Sequence, residues 1–156
     1  MDFNKEQLIG FWLNHLGYAI RGRLDQQFQE YNITGMDAIM LVIMATDGAS
    51  CLLELAKNSH ISQSTIVRNF DRLEQEGYIV REVNPADRRR KDIVLQKKAL
   101  DIVPVIRVII HRINSKALKD FAAPEKLQLF DFMKRIAHNV GAEHLLKIVK
   151  EDLYEK

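Results

Sequence analysis

Cysteine, proline and glycine are scarce in this sequence. The one cysteine, Cys51, excludes a disulfide within the chain and fits a reducing compartment. Three prolines and seven glycines in 156 residues favour helices, and the length suits one domain with a normal hydrophobic core. Hydrophobic residues make up 47% of the chain and charged residues 28%, so the composition is not that of a disordered or fibrous protein.

Long apolar runs and a large net charge are absent as well. The most hydrophobic stretch, residues 102–113, is interrupted by Pro104, Arg107 and His111 and is too short to span a bilayer. No signal peptide is visible at the start of the sequence, so we expect a cytoplasmic protein. The formal net charge of +2 does not by itself indicate a nucleic-acid partner, so the placement of the charges must decide.

Two capping patterns mark the first helices. Asn4 can cap a helix whose apolar residues recur at spacings of three and four up to about Tyr31. Thr34 and Asp37 have the spacing of a capping box, which predicts the start of a second helix. Gly48 predicts the end of that helix.

The next segment predicts a helix-turn-helix followed by a β-hairpin. A short helix over residues 52–58 leads to a longer one that Ser62 can cap and Gly77 can end. Residues 78–83 and 93–95 are rich in strand-forming side chains, and turn-forming residues lie between them. This order of elements is typical of a winged helix-turn-helix.

The remainder of the chain is predicted to be helical. A long apolar helix over residues 97–118, with Pro104 as an expected kink, precedes two further helices. Its apolar side chains lie on more than one face, which indicates a dimer interface; four-layer packing within a monomer is the alternative. We predict a mainly α fold with a small β-hairpin wing: a winged helix-turn-helix at 34–95 and dimerisation helices at 4–31 and 97–156.

The second helix of the helix-turn-helix carries side chains that suit DNA. In this motif that helix enters the major groove, where its first residues meet base edges. Gln63 can bind adenine through two hydrogen bonds, and Arg68 can bind guanine or a phosphate. Ser62 also suits a purely structural helix cap, and Thr65 suits packing. The predicted DNA contacts on this helix are Ser62, Gln63, Ser64, Thr65, Arg68, Asn69 and Arg72.

The predicted hairpin has four consecutive cations at its tip. A guanidinium in a narrow minor groove gains from the negative potential there, and neighbouring cations suit phosphates. The alternative is a solvated hairpin tip, which is the weaker interpretation beside a helix-turn-helix. The predicted wing contacts are Asp87, Arg88, Arg89, Arg90 and Lys91.

One set of residues runs in a fixed order from the short helix to the return strand: Glu54-Leu55-Ala56, Ser64-Thr65-Ile66-Val67-Arg68, Asp71-Arg72-Leu73-Glu74, Gly77-Tyr78-Ile79, Asp87-Arg88-Arg89, Ile93 and Leu95. In this combination the sequence resembles the MarR family of bacterial winged-helix transcription regulators. The family often has Thr and Gly where this sequence has Gln96 and Ala99, which weakens the expected cap of the long helix. The resemblance implies a homodimeric repressor that binds double-stranded DNA at a pseudo-palindrome with half-sites about 10 bp apart. It also implies that Asp87 holds Arg89 by a salt bridge.

A further implication of the resemblance is release from DNA by a small aromatic or anionic effector. Trp12, His15, Met40 and Met44 are candidates for lining an effector pocket between the dimer helices and the winged part, and a plain hydrophobic core is the alternative. Cys51 near a helix start suits either a redox switch or a simple packing role.

Other function classes have less support in the sequence. The five histidines show no metal-ligand spacing, and neither a phosphate-binding loop nor a zinc helix motif is present. We therefore expect that the protein is not an enzyme and that it binds neither a metal nor a cofactor. The alternative function is a winged helix that binds protein instead of DNA. Loss of the cationic tip would have indicated that function, and the tip is present.

Overall fold

The computed structural model describes residues 8–48, 63–89 and 91–143, apart from the side chain of Gln63. Within these ranges the chain forms five α-helices, one short 3₁₀ turn and one antiparallel hairpin. The elements are α1 (Ile9–Phe28), the 3₁₀ turn (Gln29–Tyr31), α2 (Gly35–Asp47), α3 (Gln63–Gln75), β1 (Ile79–Val83), β2 (Lys91–Leu95), α4 (Lys97–Ala117) and α5 (Ala123–Asn139). Predicted features outside the described residues are the cap at Asn4, the short helix over 52–58, Cys51, Ser62, Arg90 and the last helix.

The start of α2 has the predicted capping box. Asp37 N donates to Thr34 Oγ1 at 3.2 Å, and Thr34 N donates to Asp37 Oδ2 at 2.8 Å, so two amides of the first turn are satisfied. Gly35 lies so close to α1 that an added Cβ would collide with Leu24. Its amide donates to Asp25 Oδ1 at 2.7 Å, which ties α2 to α1.

Glycines end α2 and α3 at the predicted positions. Gly48 and Gly77 have φ values of +82° and +74°, which a residue with a side chain adopts only at a cost. After Gly77, Tyr78 N donates back to Leu73 O at 2.9 Å, so the last turn of α3 closes as in a Schellman motif.

The core lies where α1, α2 and α4 pack together and where α3 and β1 close one end. Phe28, Leu41 and Ile106 are fully buried between α1, α2 and α4. Helix α3 and strand β1 add Leu73 and Ile79 to this core. Burying such side chains contributes about 1.5–3 kcal/mol each. This core fixes α3 and the hairpin against the longer helices.

The hairpin is longer than predicted on its return strand. Ile79 pairs with Leu95 and Val83 pairs with Lys91, so β2 begins two residues before the predicted Ile93. Lys91 is therefore a strand residue and not part of the tip. The described part of the tip consists of residues 84–89.

The long helix α4 agrees with the prediction in its bounds and in its weak start. Gln96, the N-cap residue, makes no side-chain hydrogen bond to the helix, and Pro104 lies inside it. One face is buried and includes Ala99 and Ile106, whereas Val108 on another face is 58% exposed. Within the described ranges, no helix is long and apolar enough to cross a membrane.

Large apolar side chains are exposed along α1, α4 and α5. On α1 the stripe identified from the sequence is open to solvent in the protomer, with Trp12 47% and Leu16 53% exposed. Apolar surface of this extent is uncommon on monomers and marks an interaction face. The main exposed apolar residues of these helices are Ile9, Phe11, Trp12, Leu16, Tyr18, Leu100, Val105, Val108, Leu127, Phe132 and Met133.

Candidate nucleic-acid interface

Helix α3 has one buried face and one exposed face. The buried side chains recur at helical spacing and anchor the helix in the core: Ile66, Asn69, Phe70 and Leu73. The exposed side chains recur at the same spacing on the opposite face: Ser64, Val67, Arg68, Asp71 and Gln75. Thr65 lies half-buried between the two faces. Of the predicted contacts with described side chains, Ser64 and Arg68 are thus on the outer surface.

Asn69 and Arg72 belong to the structural side of α3. Asn69 is only 4% exposed, and its amide nitrogen lies 3.5 Å from Met40 Sδ. Arg72 forms a two-point ion pair with the fully buried Asp37, and its Nη2 also donates to Asn69 Oδ1 at 3.0 Å. Both were predicted as DNA contacts because of their residue types, but these positions hold α3 against the N-terminus of α2.

Val67 is a surface residue that is not among the predicted DNA contacts. It is 53% exposed and lies between Ser64 and Arg68 on the outer face. Its spacing of three from Ser64 was the available signal, because residues three and four apart share a helix face.

Arg81 joins the first wing strand to α3. Its Nη1 lies 2.7 Å from Asp71 Oδ1 and 3.0 Å from Glu74 Oε2, and its backbone amide donates to Glu74 Oε1 at 3.1 Å. The wing therefore lies beside the outer face of α3. The same contacts place the Arg81 guanidinium next to the Asp71 carboxylate. Without that cation, the carboxylate would repel a polyanion at this face.

Asn84 organises the turn at the base of the wing tip. Its Oδ1 accepts hydrogen bonds from the amides of Ala86 at 2.8 Å and Asp87 at 3.0 Å, and its Nδ2 donates to Asp92 Oδ2 at 2.8 Å. An asparagine that binds the amide two residues ahead forms an Asx turn. The side chain thus closes the loop and fastens it to β2.

Asp87 holds the backbone of Arg89 and not its guanidinium. Arg89 N donates to Asp87 Oδ1 at 3.0 Å, and the described residues include no ion pair between the two side chains. The salt bridge implied by the family resemblance is therefore replaced by a turn contact. Arg89 is an exposed residue.

The cations of the wing and of α3 are exposed. Arg68, Arg88, Arg89 and Lys91 all lie on the surface, and within the described residues none of them has an ion-pair partner. Of the acidic side chains nearby, Asp71 forms an ion pair with Arg81 and Asp92 accepts a hydrogen bond from Asn84. This leaves a cationic surface on the wing and on the outer face of α3.

The base of the wing is fastened to α4 and to the 3₁₀ turn that follows α1. The side chain of Tyr78 is buried and its Oη donates to Tyr31 O at 3.0 Å. Burial raises the pKa of Tyr78, and the nearby Glu76 carboxylate raises it further, so the phenol stays protonated and able to donate. From α4, Lys98 Nζ donates to Glu76 O at 2.6 Å and lies 4.1 Å from the centre of the Tyr78 ring.

The four candidate effector residues lie in two different environments. Met40 and Met44 are 3% and 5% exposed in the core, whereas Trp12 and His15 lie on the exposed face of α1. His15 stacks on Phe11, with ring centres 4.0 Å apart. Two open clefts of ≈ 490 and ≈ 460 Å³ lie elsewhere on the protomer, and none of the four residues lines them.

A helix anchored in the core, followed by a two-stranded wing beside its exposed face, defines a winged-helix protein. Residues 40–91 match the model of the MarR family.

Solved structures share the fold over most of both chains. A crystal structure of MarR is 23% identical, covers 90% of this chain and 95% of its own, and has a TM-score of 0.72. A MarR family transcriptional regulator of Listeria monocytogenes, solved with a 26mer DNA, is 24% identical over 89% and 93%, with a TM-score of 0.75. BpsR of Bordetella bronchiseptica, whose DNA binding is regulated by 6-hydroxynicotinic acid, is 17% identical over 88% and 98%, also with a TM-score of 0.75.

Proposed function

We propose that this protein is a sequence-specific regulator of transcription that binds double-stranded DNA as a homodimer. The observation that carries the proposal is the pairing of two surfaces. The exposed face of α3 and the cationic wing lie side by side because Arg81 joins them through Asp71 and Glu74. A helix with polar side chains at its start suits the major groove, and an arginine-tipped wing suits the adjacent minor groove. The Listeria relative solved with DNA has the same fold, which supports this proposal.

The major-groove contacts would come from the first turns of α3. Ser64 and Thr65 can bind bases or phosphates, Arg68 can bind guanine, and Val67 offers an apolar contact for the methyl group of thymine. Ser62 and the side chain of Gln63 remain predicted contacts outside the described part. Asn69 and Arg72 are omitted from the proposed interface because the core and Asp37 occupy them.

The minor-groove and phosphate contacts would come from the wing. Arg89 is the proposed groove-entering residue, because Asp87 fixes its backbone while its side chain is exposed. Arg88 and Lys91 are placed for phosphates, and Arg90 remains a predicted contact outside the described residues. Binding should therefore weaken steeply with salt as counterions are released.

Two such surfaces are needed for a pseudo-palindromic site, and the exposed apolar helices supply the means of pairing them. We propose that α1, α4 and α5, together with the residues after 143, form the dimer interface, leaving 34–95 as the DNA-binding part. Burying residues such as Trp12, Leu16 and Val108 against a second copy would remove the large apolar surface of the protomer.

Regulation by a small molecule is the second part of the proposal. BpsR, which has this fold, is regulated by 6-hydroxynicotinic acid, and this supports an aromatic or anionic effector here. Because Met40 and Met44 are core residues, the candidates left on the surface are Trp12 and His15, beside the proposed dimer interface. An effector bound there would act through the arrangement of the two protomers.

The test is selection of bound duplexes from a pool of random sequence. We expect enrichment of an inverted repeat whose half-sites are centred about 10 bp apart, since two-fold symmetry of a dimer is mirrored in its site. Enrichment of no sequence above the starting pool would reject sequence-specific binding. Enrichment of a single, unrepeated half-site would reject the dimer but keep the DNA-binding surface.

A further inference from the structure

Lys98 connects the long helix α4 to the end of α3. It lies in the first turn of α4, and its Nζ donates to Glu76 O at 2.6 Å. Glu76 directly follows the last residue of α3, so this carbonyl belongs to the negative end of that helix's dipole. The same ammonium lies 4.1 Å from the centre of the Tyr78 ring, a distance suited to a cation–π contact.

The charge of Lys98 is unfavourable in its own helix and favourable towards its neighbour. Lys97 and Lys98 begin α4, where the dipole is positive, where the first turn has no acidic residue and where Gln96 provides no side-chain cap. At the carbonyl end of α3 the same charge is stabilising. A lysine at this position is therefore explained by the contact between the two helices and not by the local stability of α4.

Tyr78 is also held by the 3₁₀ turn that follows α1. Tyr78 N and O form hydrogen bonds to Leu73 O and Gln96 N at 2.9 Å each, and its Oη donates to Tyr31 O. Tyr78 is 1% exposed and is held by the 3₁₀ turn on one side and by the start of α4 on the other. Lys98 covers its ring. The junction between α3 and β1 is thus fastened to α4 and to the turn that follows α1.

We infer that Lys98 is a positioning residue for DNA recognition, which fixes the tilt of α3 relative to α4. In a dimer, the tilt of each α3 sets the separation of the two reading helices and therefore the preferred spacing of half-sites. This role rests on the proposed function. It makes Lys98 a determinant of operator spacing although it touches neither groove.

The matched variants are Lys98→Met, Lys97→Met and Lys98→Arg. The first removes the ammonium and keeps most of the aliphatic stem. The second removes the same charge from the adjacent exposed residue, for which the described residues offer no contact with α3. The third keeps a cation that can donate to Glu76 O and stack on Tyr78. Thermal melting checks that all three are folded.

The first measurement needs no DNA. Spin labels at Gln75→Cys on α3 and Arg112→Cys on α4, in a Cys51→Ser background, report the distance between the two helices within one chain. Dilution with unlabelled protein isolates the intrachain signal. We expect Lys98→Met to broaden or shift the distance distribution, and Lys97→Met and Lys98→Arg to retain that of the wild type. Identical distributions for Lys98→Met and Lys97→Met would overturn the inference.

The second measurement is affinity for the selected duplex and for duplexes with one base pair added or removed between half-sites. We expect Lys98→Met to lose about two- to fivefold in affinity for the duplex with the best spacing and to lose less affinity for the others. The preference for one half-site spacing should therefore become weaker. Lys97→Met should weaken all spacings equally, and an unchanged preference in Lys98→Met would contradict the role. If the wild type selects no duplex while Lys98→Met still changes the distance between α3 and α4, the proposed function fails. In that case only the role of Lys98 in holding α3 against α4 is supported.

Discussion

Arg72 and Asp37 form a two-point ion pair between α3 and the first turn of α2. Arg72 Nε lies 2.7 Å from Asp37 Oδ2, and Nη2 lies 3.1 Å from Oδ1. The carboxylate is fully buried and also accepts from both Thr34 donors, so the capping box and the ion pair share one side chain. This ion pair holds the inner face of α3 against α2.

Replacing Arg72 by Met should destabilise the fold by about 2–3 kcal/mol, because it leaves a buried carboxylate without its cation. That value is below the usual range for buried pairs because the Arg72 side chain is 35% exposed. Urea unfolding followed by circular dichroism measures the change. The matched control is Arg68→Met on the exposed face of α3, which should change stability by less than about 0.5 kcal/mol and lower DNA affinity instead. Equal destabilisation by both variants would refute the division of α3 into two faces.

Replacing Arg89 by Ala should lower affinity for the selected duplex at least tenfold, about 1.4 kcal/mol, without changing the melting temperature or the dimer. The loss should be greater when the flanks of the site are A-tracts, whose narrow minor groove attracts arginine. Arg112→Ala is the control, since it lies about 22 Å along α4 from the wing. Wild-type affinity in Arg89→Ala would remove the wing from the interface.

Replacing Asn84 by Ala should weaken DNA binding several-fold by releasing the wing tip. The change removes two hydrogen bonds to the loop amides and one to Asp92. Each is worth about 1 kcal/mol, most of which appears as loop disorder. Hydrogen exchange at the amides of Ala86 and Asp87 measures that disorder directly.

Asn84→Asp gives the contrasting case. It keeps an acceptor for the amides but places a second carboxylate against Asp92, so it should bind DNA less well than wild type while retaining slow exchange. Unchanged exchange in Asn84→Ala would show that the turn does not depend on this side chain.

Replacing Leu16 by Glu should dissociate the dimer. Leu16 is 53% exposed in the protomer and lies on the apolar stripe of α1. A carboxylate buried at an interface without a partner costs several kcal/mol. Val83→Glu is the matched control, since Val83 is 58% exposed on the wing. Sedimentation equilibrium should give the monomer mass for Leu16→Glu only, and a dimer mass for both variants would place the interface elsewhere.

Replacing Tyr78 by Phe should alter the pH dependence of stability above pH 10. The folded state raises the pKa of Tyr78, so its contribution is complete below the unfolded value of 10.0 and is lost as pH rises through the folded value. The variant should lose about 1 kcal/mol at neutral pH with the hydrogen bond to Tyr31 O, and should decline less steeply in alkali. Tyr18→Phe, at an exposed position, is the control. Parallel pH curves for wild type and Tyr78→Phe would contradict this account.

Local signals predicted the framework of the fold. The spacing of Thr34 and Asp37 predicted the start of α2, and Gly77 predicted the end of α3, because capping depends on residues a few positions apart. The missing cap at Gln96 was also predicted. The return strand was predicted two residues short because charged Lys91 and Asp92 lack strand propensity, and cross-strand pairing with Val83 and Glu82 places them in the sheet.

The site was less predictable, because residue type does not reveal which face of a helix is buried. Arg72 and Asn69 have the side chains of DNA-reading residues, and only the position of Asp37 and Met40 in another helix explains their inward contacts. Val67 was not among the predicted contacts, because its apolar side chain does not mark it as a DNA-binding residue. Asn84 lies among the predicted turn-forming residues. No sequence pattern identifies the contact of Lys98 with the carbonyl of Glu76.

The central claim is that the outer face of α3 and the wing together bind DNA. Fluorescence anisotropy with the selected duplex, at several salt concentrations and with random duplex as competitor, tests it in wild type and in Arg68→Met/Arg89→Met. Specific wild-type binding should fall steeply with salt, and the double variant should bind more weakly with a salt slope smaller by about 1 to 2. Weak, equal binding of the wild type to every duplex, or a double variant that matches the wild type, would contradict the claim.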